Sequence, residues 1–167
     1  MKKNITCLIM CAASCAMFAQ TSGEEAGHIW IDLGLPSGIK WASTNIGANR
    51  PQDEGNYYAW GETTLKTDFR WATYSHGAGQ NSLTKYSYSD GVLSLDAADD
   101  IVSCVWGGTW RMPTKEEQVE LLTECNWTLD TMNGVDGYTI TGPNGNSIFL
   151  PISGYFSDTN VEDIGYN

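Results

Sequence analysis

The sequence predicts an α+β fold, and three patterns support this prediction. Residues 28–45 and 138–150 each alternate apolar and polar side chains around a turn rich in glycine or proline, which is typical of β-hairpins. Residues 96–105 and 114–125 carry apolar side chains at helical spacing. Between the first hairpin and the helices, residues 61–94 follow no steady period. The 167 residues are enough for one domain of ordinary size.

The first 19 residues resemble an export signal. Lys2 and Lys3 precede an uncharged, mostly apolar run that ends at Phe18, and Ala19-Gln20 resembles a cleavage junction. The run is shorter than the roughly 20 residues that span a bilayer, so we expect no membrane span after cleavage. We expect a secreted protein, in the periplasm or at the outer cell surface, with a signal peptide at 1–19, a polar linker at 20–27 and one domain at 28–167.

A lipid anchor is the alternative for this N-terminus. The small residues Ala12-Ala13-Ser14 precede Cys15, as small residues do before the lipidated cysteine of a lipoprotein. The large aliphatic residue that usually starts such a motif is missing. Simple secretion is therefore favoured, attachment through Cys15 is the second hypothesis, and an uncleaved anchor is the third.

The charge of the processed chain argues against some partners. Without residues 1–19, seven basic and 20 acidic side chains remain, which gives a net charge of −13. Nucleic acids and anionic membranes bind basic surfaces, so we expect neither as a partner. The acidic residues are scattered along the chain, which favours a solvated surface over a cation site.

Two of the five cysteines, Cys104 and Cys125, lie outside the signal. One interpretation pairs them in an oxidising compartment, where closing a loop of about 20 residues would stabilise the fold by roughly 3 kcal/mol. The other leaves two buried free thiols on apolar helical faces. Neither cysteine belongs to a CxxC motif or a Cys/His cluster, so we expect no structural zinc site.

The N-terminal half predicts a hairpin, a short strand and a long loop. In residues 28–45 the stretch "GLPSG" forms the turn of the hairpin. The aromatic stretch Asn56–Trp60 predicts a further strand. Residues 61–94 predict a long loop that its own aromatic side chains pack against the domain, because a segment of this length without regular structure is unusual in a compact domain and is often functional.

Two short helices are expected next. The first spans about Asp96 to Val105, with Ser94 or Asp96 as its cap and Gly107-Gly108 at its end. The second begins at Thr114, and we expect Leu121, Leu122 and Cys125 to form its buried stripe.

The start of the second helix carries a recognisable signature. Pro113 precedes it, and Thr114 with Glu117 has the spacing of a capping box. Such short helices are not stable alone in water. We expect Trp106 and Trp110, on either side of the glycine pair, to supply the apolar surface on which both helices pack.

The clearest hairpin follows the helices. Residues 138–141 and 147–150 alternate apolar and polar side chains, and Pro143-Asn144-Gly145 forms the turn between them. Asn133-Gly134 predicts another turn just before this hairpin.

The ordered motifs of the chain resemble those of one family. The stretches "WIDLGLPSGIKWAS", "YYAWGET", "LDAADD", "WGGTWRMPTKEE" and "GYTITGPNGNSIFLP" follow the order of the Fibrobacter succinogenes major paralogous domain, which recurs in secreted proteins of Bacteroidetes and Fibrobacteres. The resemblance covers about residues 29–155. It implies a C-type-lectin-like fold, in which a small twisted antiparallel sheet carries two short helices and a long irregular loop.

The chain departs from the family pattern in two places. Family members continue past "LP..GY" into further strands, whereas this chain ends at Asn167. We therefore expect the last strands to be missing and sheet edges to be left unpaired. Phe156 stands where an arginine is common in the family.

The sequence shows no catalytic constellation. His28 and His76 lie far apart and belong to no zinc-binding motif, and neither a G-x-S-x-G motif nor a P-loop occurs. The acidic cluster at 96–100 fits a helix N-terminus better than a cation site. We expect no enzyme, no cofactor and no metal. The remaining enzymatic alternative resembles formylglycine-generating enzymes, whose helix start is similar to Arg111–Glu117 but whose late cysteine pair has no counterpart here.

We expect a non-catalytic binding or adhesion module of the bacterial cell surface. C-type-lectin-like domains commonly bind through their irregular loop, and aromatic rings with polar tips suit a glycan or a surface protein. The calcium-dependent sugar motifs of true lectins are absent. The alternative is a structural or assembly module whose rings only hold the loop to the core. The candidate binding residues are Trp71, Tyr74, a solvent-facing His76, Tyr86 and Tyr88.

Overall fold

The computed structural model describes residues 20–87, 89–92 and 94–162. Small antiparallel sheets with two α-helices make up this part of the chain, so the predicted α+β class is confirmed. The sheets have the strand orders β1–β2–β3, β4–β5–β6 and β7–β8. The elements are β1 (Ser22–Glu25), β2 (His28–Asp32), β3 (Lys40–Ala42), a 3₁₀ turn (Trp71–Thr73), α1 (Ile101–Val105), α2 (Lys115–Glu124), β4 (Asn126–Met132), β5 (Val135–Thr141), β6 (Ser147–Pro151), β7 (Tyr155–Ser157) and β8 (Asn160–Glu162). The expected signal peptide and Cys15 lie outside the described residues.

The first sheet extends the predicted N-terminal hairpin by one strand. β2 and β3 pair with Ile31 opposite Trp41, as predicted. The stretch expected as a polar linker instead contains β1, which pairs with β2 through a turn at Ala26-Gly27. Both turn residues have positive φ, 52° and 83°, as a tight two-residue hairpin turn requires. Sequence reasoning missed β1 because a polar edge strand carries no apolar alternation.

The second sheet contains the predicted C-terminal hairpin. β5 and β6 pair with Tyr138 opposite Leu150 and Ile140 opposite Ile148. β4 adds to the other side of β5 through the predicted turn at Asn133-Gly134. Most side chains of β4 are exposed, and the sequence analysis did not predict this strand.

One hydrophobic core draws side chains from both of these sheets and from α2. Leu33 and Ile140 are fully buried at its centre. α2 contributes Leu121, whereas Leu122, expected in the same stripe, is 60% exposed. Successive helical residues point about 100° apart, so a narrow contact with the sheets holds only one of the two leucines. The core consists of Ile31, Leu33, Leu35, Leu121, Ile140 and Ile148.

A polar clamp joins the two sheets. The turn between β5 and β6 directs the side-chain amides of Asn144 and Asn146 to the carbonyl of Asp32, at 2.8 and 2.6 Å. Beside the clamp, Gly142 lies so close to the backbone of Leu33 that a Cβ at position 142 would overlap the Leu33 carbonyl oxygen. Only glycine allows this approach of the second sheet to the end of β2.

α1 is shorter than predicted. Residues 97–99 form a turn, and the helix begins only after Asp100. Asp100 is the cap, rather than Ser94 or Asp96: its Oδ1 accepts the N–H groups of Val102 and Ser103 at 2.9 and 3.2 Å. Several acidic residues in this stretch could cap the helix, and the one that does so, Asp100, is buried.

α2 begins where the sequence predicts. Thr114 Oγ1 accepts the N–H of Glu117, and the Glu117 carboxylate accepts the N–H of Thr114, which is a complete capping box. Arg111 adds two parallel bonds to the Glu117 carboxylate, at 2.7 and 2.5 Å. These bonds from Arg111 hold the pKa of Glu117 below its usual value.

Two segments differ from their predictions. The aromatic stretch at 56–60 forms no strand and runs into a turn instead. The chain after residue 154, whose pattern is weak, forms the β7–β8 hairpin. Phe156 in β7 stacks on Phe69 with ring centroids 4.4 Å apart and meets the edge of Tyr57 at 5.0 Å. This contact packs the hairpin against the long loop.

None of the described helices has the length and apolar character needed to cross a membrane.

Candidate binding surfaces

The long loop gathers the aromatic residues singled out from sequence into one row. Trp71, in the 3₁₀ turn, meets Tyr74 edge to face at 5.7 Å, Tyr74 meets His76 at 5.7 Å, and His76 meets Tyr86 at 5.5 Å. Four of the five candidate binding residues are therefore in contact. Tyr88, the fifth, lies outside the described residues.

The polar tips of three rings in this row are bound inside the protein. The Tyr74 hydroxyl donates to the carbonyl of Trp60 at 2.8 Å, and His76 Nε2 lies 2.7 Å from the carbonyl oxygen of Gly61. The Tyr86 hydroxyl donates to Asp99 at 2.6 Å. His76 is half-buried, which corrects the expectation that it faces solvent. Burial also raises the pKa of Tyr74.

Two indoles of the same region remain open. Trp71 is 48% exposed and Trp60 is 46% exposed. Tyr74 connects them, since its ring contacts Trp71 and its hydroxyl bonds to the backbone of Trp60. We call Trp60, Trp71, Tyr74, His76 and Tyr86 the loop face. Sequence reasoning missed Trp60 because it assigned that residue to the end of a strand.

Ion pairs hold both ends of the loop face. The Glu62 carboxylate contacts the Lys66 ammonium and accepts the N–H of Ser75 at 2.7 Å. Burial alone would raise the pKa of Glu62, but the bonds from Lys66 and Ser75 outweigh it and lower the pKa. At the other end, Lys85 contacts both Asp96 and Asp99 at 2.5 Å, and the bonds to these carboxylates raise the pKa of Lys85.

The tryptophan corner, Trp106 to Trp110, packs on the first sheet. The indole of Trp106 stacks on His28 with centroids 4.0 Å apart and meets Trp110 edge to face at 5.1 Å. Trp110 Nε1 donates to the carbonyl of Glu25 at 2.9 Å. Gly107 and Gly108 both have positive φ, 68° and 62°, so they supply the tight backbone turn beneath the rings.

A groove of about 750 Å³ lies beside this corner, and sequence reasoning did not find it. Its volume falls within the range of about 300–1,000 Å³ that is typical of ligand pockets. The walls of the groove come from β3, from β6 and from the tryptophan corner, together with the segments that follow β3 and β6. These parts of the chain are distant from one another in the sequence. Its apolar lining includes Ile39, Trp41, Trp110, Met112, Ile148 and Leu150, and the charged side chains of Glu25, Lys40, Glu54 and Arg111 also line it.

The cysteines do not form the disulfide considered from sequence. Cys104 and Cys125 are free thiols, the first exposed and the second half-buried. Cys104 therefore does not lie on a buried helical face either; its thiol contacts the carbonyls of Ala97 and Ala98. Across the described residues, no cluster of His, Cys, Asp and Glu could hold a metal ion.

No protein-family model matches the chain, and no curated protein sequence or solved structure matches it either.

Proposed function

We propose that this chain is an exported, non-catalytic binding or adhesion module of the bacterial cell surface, with the C-type-lectin-like fold of the major paralogous domain family. It takes a glycan or a surface protein on the loop face. The observation that carries this proposal is the pair of open indoles, Trp60 and Trp71, on a loop that is otherwise tied down.

The chemistry of these two residues suits recognition. An indole offers a large, rigid apolar face and loses little conformational freedom when it binds. Tyr74 packs edge to face against the Trp71 indole, and its hydroxyl bonds to the backbone carbonyl of Trp60. The Glu62 carboxylate, paired with Lys66, accepts the backbone N–H of Ser75 next to Tyr74 and so restrains the backbone there. A ligand therefore meets a preorganised surface, which reduces the entropic cost of association.

A structural or assembly module is the second candidate. It is supported by the hydroxyls of Tyr74 and Tyr86 and the imidazole of His76, which are all engaged inside the protein. In that case the row of rings stabilises the long loop. The two exposed indoles then have no binding role, since many protein surfaces expose single apolar side chains.

Binding to glycan and surface-protein arrays separates the two candidates when Trp60→Ala and Trp71→Ala are compared with the native chain. The binding proposal expects each variant to keep the native melting temperature and to lose at least about tenfold in affinity, which corresponds to 1.4 kcal/mol. Leu129→Ala is the matched control, because Leu129 is also exposed but lies on β4. Native binding by both tryptophan variants, or a lowered melting temperature without any array ligand, would favour the structural module.

A further inference from the structure

We infer that Asn133 is a site of spontaneous covalent modification, at which the side-chain amide becomes a carboxylate without an enzyme. The other Asn-Gly pair of the chain, Asn144-Gly145, is held by hydrogen bonds that oppose the same reaction. The inference concerns the turn between β4 and β5, and it does not depend on the proposed function.

An Asn-Gly pair is well suited to this reaction. The backbone nitrogen of the glycine attacks the side-chain carbonyl carbon of the asparagine, and the new C–N bond closes a five-membered succinimide ring. The amide nitrogen leaves as ammonia and takes the proton of the attacking nitrogen. Water then opens the ring at one of its two carbonyls, which gives aspartate or isoaspartate. Glycine has no Cβ beside its nitrogen, so the attack is little hindered, and the pair occurs at Asn133-Gly134 and Asn144-Gly145.

The reacting groups of Asn133 and Gly134 are unrestrained. The two residues form the turn between β4 and β5, beyond the pair of Met132 with Val135. Both residues are exposed. Within the part of the chain that the structure describes, neither the Asn133 side chain nor the Gly134 N–H has a hydrogen-bond partner. Local opening at the end of this edge hairpin therefore brings the nitrogen to the side-chain carbonyl without the loss of a hydrogen bond from either group.

The reacting groups of Asn144 and Gly145 are all bonded. Asn144 Nδ2 donates to the carbonyl of Asp32 at 2.8 Å, and Asn144 Oδ1 accepts the N–H of Asn146 at 3.0 Å. The N–H of Gly145 donates to the carbonyl of Gly142 at 2.9 Å. These bonds oppose ring closure, and the first of them belongs to the clamp between the sheets. We therefore expect Asn144 to react at least about tenfold more slowly than Asn133 in the folded chain.

The products at the two positions would affect the fold differently. A carboxylate at position 144 has no N–H to donate to Asp32 and would remove one of the two bonds of the clamp. A carboxylate at position 133 lies at the end of an edge hairpin, where most side chains of β4 are exposed. Aspartate before glycine also suits a two-residue hairpin turn. The reactive asparagine therefore lies where an added negative charge leaves the core intact.

Mass spectrometry of the aged protein tests the inference. The full chain is incubated at mildly alkaline pH, and chymotryptic cleavage after Tyr138 then places the two asparagines on separate peptides. The mass gained when the amide becomes a carboxylic acid is followed over time for each peptide. We expect Asn133 to react first in the folded chain. In concentrated denaturant the two rates should become similar, because each asparagine precedes a glycine and the hydrogen bonds around Asn144 are lost.

Variants locate the cause of the difference. Asn133→Gln should remove the early product, because the longer side chain has to close a six-membered ring, and should leave the rate at Asn144 unchanged. Asn146→Ala removes the second donor of the clamp and should speed the reaction at Asn144 alone. The melting temperature is a readout independent of these rates. It should stay native in Asn133→Asp and fall in Asn144→Asp.

Three results would overturn the inference. They are a folded chain in which Asn144 reacts as fast as Asn133, a folded chain without product at Asn133 although the denatured chain reacts there, and a ratio of the two rates that denaturant leaves unchanged. If Asn146→Ala does not fold, the comparison of the folded and the denatured native chain still decides the matter.

Discussion

The carboxylate of Asp100 bonds to the backbone N–H of Met112 at 2.8 Å and thereby ties the start of α1 to the segment that leads into α2. The same carboxylate caps α1 through its other oxygen. Asp100 is buried, so each of its hydrogen bonds is made in a poorly solvated place, where an unpaired group is costly.

Removal of this carboxylate should destabilise the whole helical region. Asp100→Ala loses a helix cap, worth about 1 kcal/mol, and leaves the N–H of Met112 without its charged partner, worth about 1.5–3 kcal/mol. We expect urea unfolding to show a total loss of about 2–4 kcal/mol. Thr114→Ala is the matched control, since Thr114 caps only α2 and should cost about 1 kcal/mol. Equal losses in the two variants would contradict the connecting role of Asp100.

Gly142 should not tolerate a side chain. Its Cβ would overlap the carbonyl oxygen of Leu33, and backbone atoms in a packed region cannot move away without cost. We expect Gly142→Ala to lower the free energy of unfolding by about 1–3 kcal/mol. In Gly79→Ala the new Cβ would come no closer than 3.5 Å to Ser82 Oγ, so its melting temperature should be native. If both variants melt alike, the close approach of the sheets is wrong.

The loop face should loosen in acid. The pKa values of Glu62 and Asp99 lie below their ordinary values of 4.5 and 3.8 in the folded chain. Their contribution to stability is therefore complete above those ordinary values and is lost as the pH falls through the lowered ones. NMR signals of Ser75, whose N–H bonds to Glu62, and of Tyr86, whose hydroxyl bonds to Asp99, should shift as the pH falls from 7 to about 2. In Lys85→Met the change at Tyr86 should begin at a higher pH, because Asp99 then lacks the ammonium that lowers its pKa.

The two thiols should differ in reactivity. Cys104 is exposed, whereas burial raises the pKa of Cys125 and reduces its thiolate fraction. A thiol reagent at pH 8 should modify Cys104 rapidly, and it should modify Cys125 slowly until denaturant is added. Cys104→Ser should abolish the rapid phase alone. A chain that reacts only after treatment with a reductant would instead contain the disulfide considered from sequence.

Short sequence motifs correctly predicted the elements whose formation depends on residues that are close together in the chain. The capping box at Thr114 and Glu117 and the turn at Asn133-Gly134 both form as predicted, since each depends on residues close together in the chain. The β5–β6 hairpin also follows from apolar alternation. By contrast, β1 has a polar sequence and becomes a strand only because β2 offers it an edge.

The candidate sites depend on contacts between distant segments, and this limits what the sequence can predict. Composition indicated an aromatic loop, and the rings of Trp71, Tyr74, His76 and Tyr86 do meet. Composition could not show that the hydroxyls of Tyr74 and Tyr86 bond within the protein, because their partners, Trp60 and Asp99, lie well before and after these rings in the sequence. The groove had no sequence signal, since its walls come together only in the folded chain.

The clamp of Asn144 and Asn146 on Asp32 has a mechanical consequence. Two donors bind a single oxygen next to a contact that only glycine permits, and together they oppose both sliding and rotation of one sheet against the other at that end. We therefore expect the two sheets to move as one rigid body at that end. If the groove beside β3 widens, the movement should occur at the tryptophan corner, where Trp106 and Trp110 pack on the first sheet.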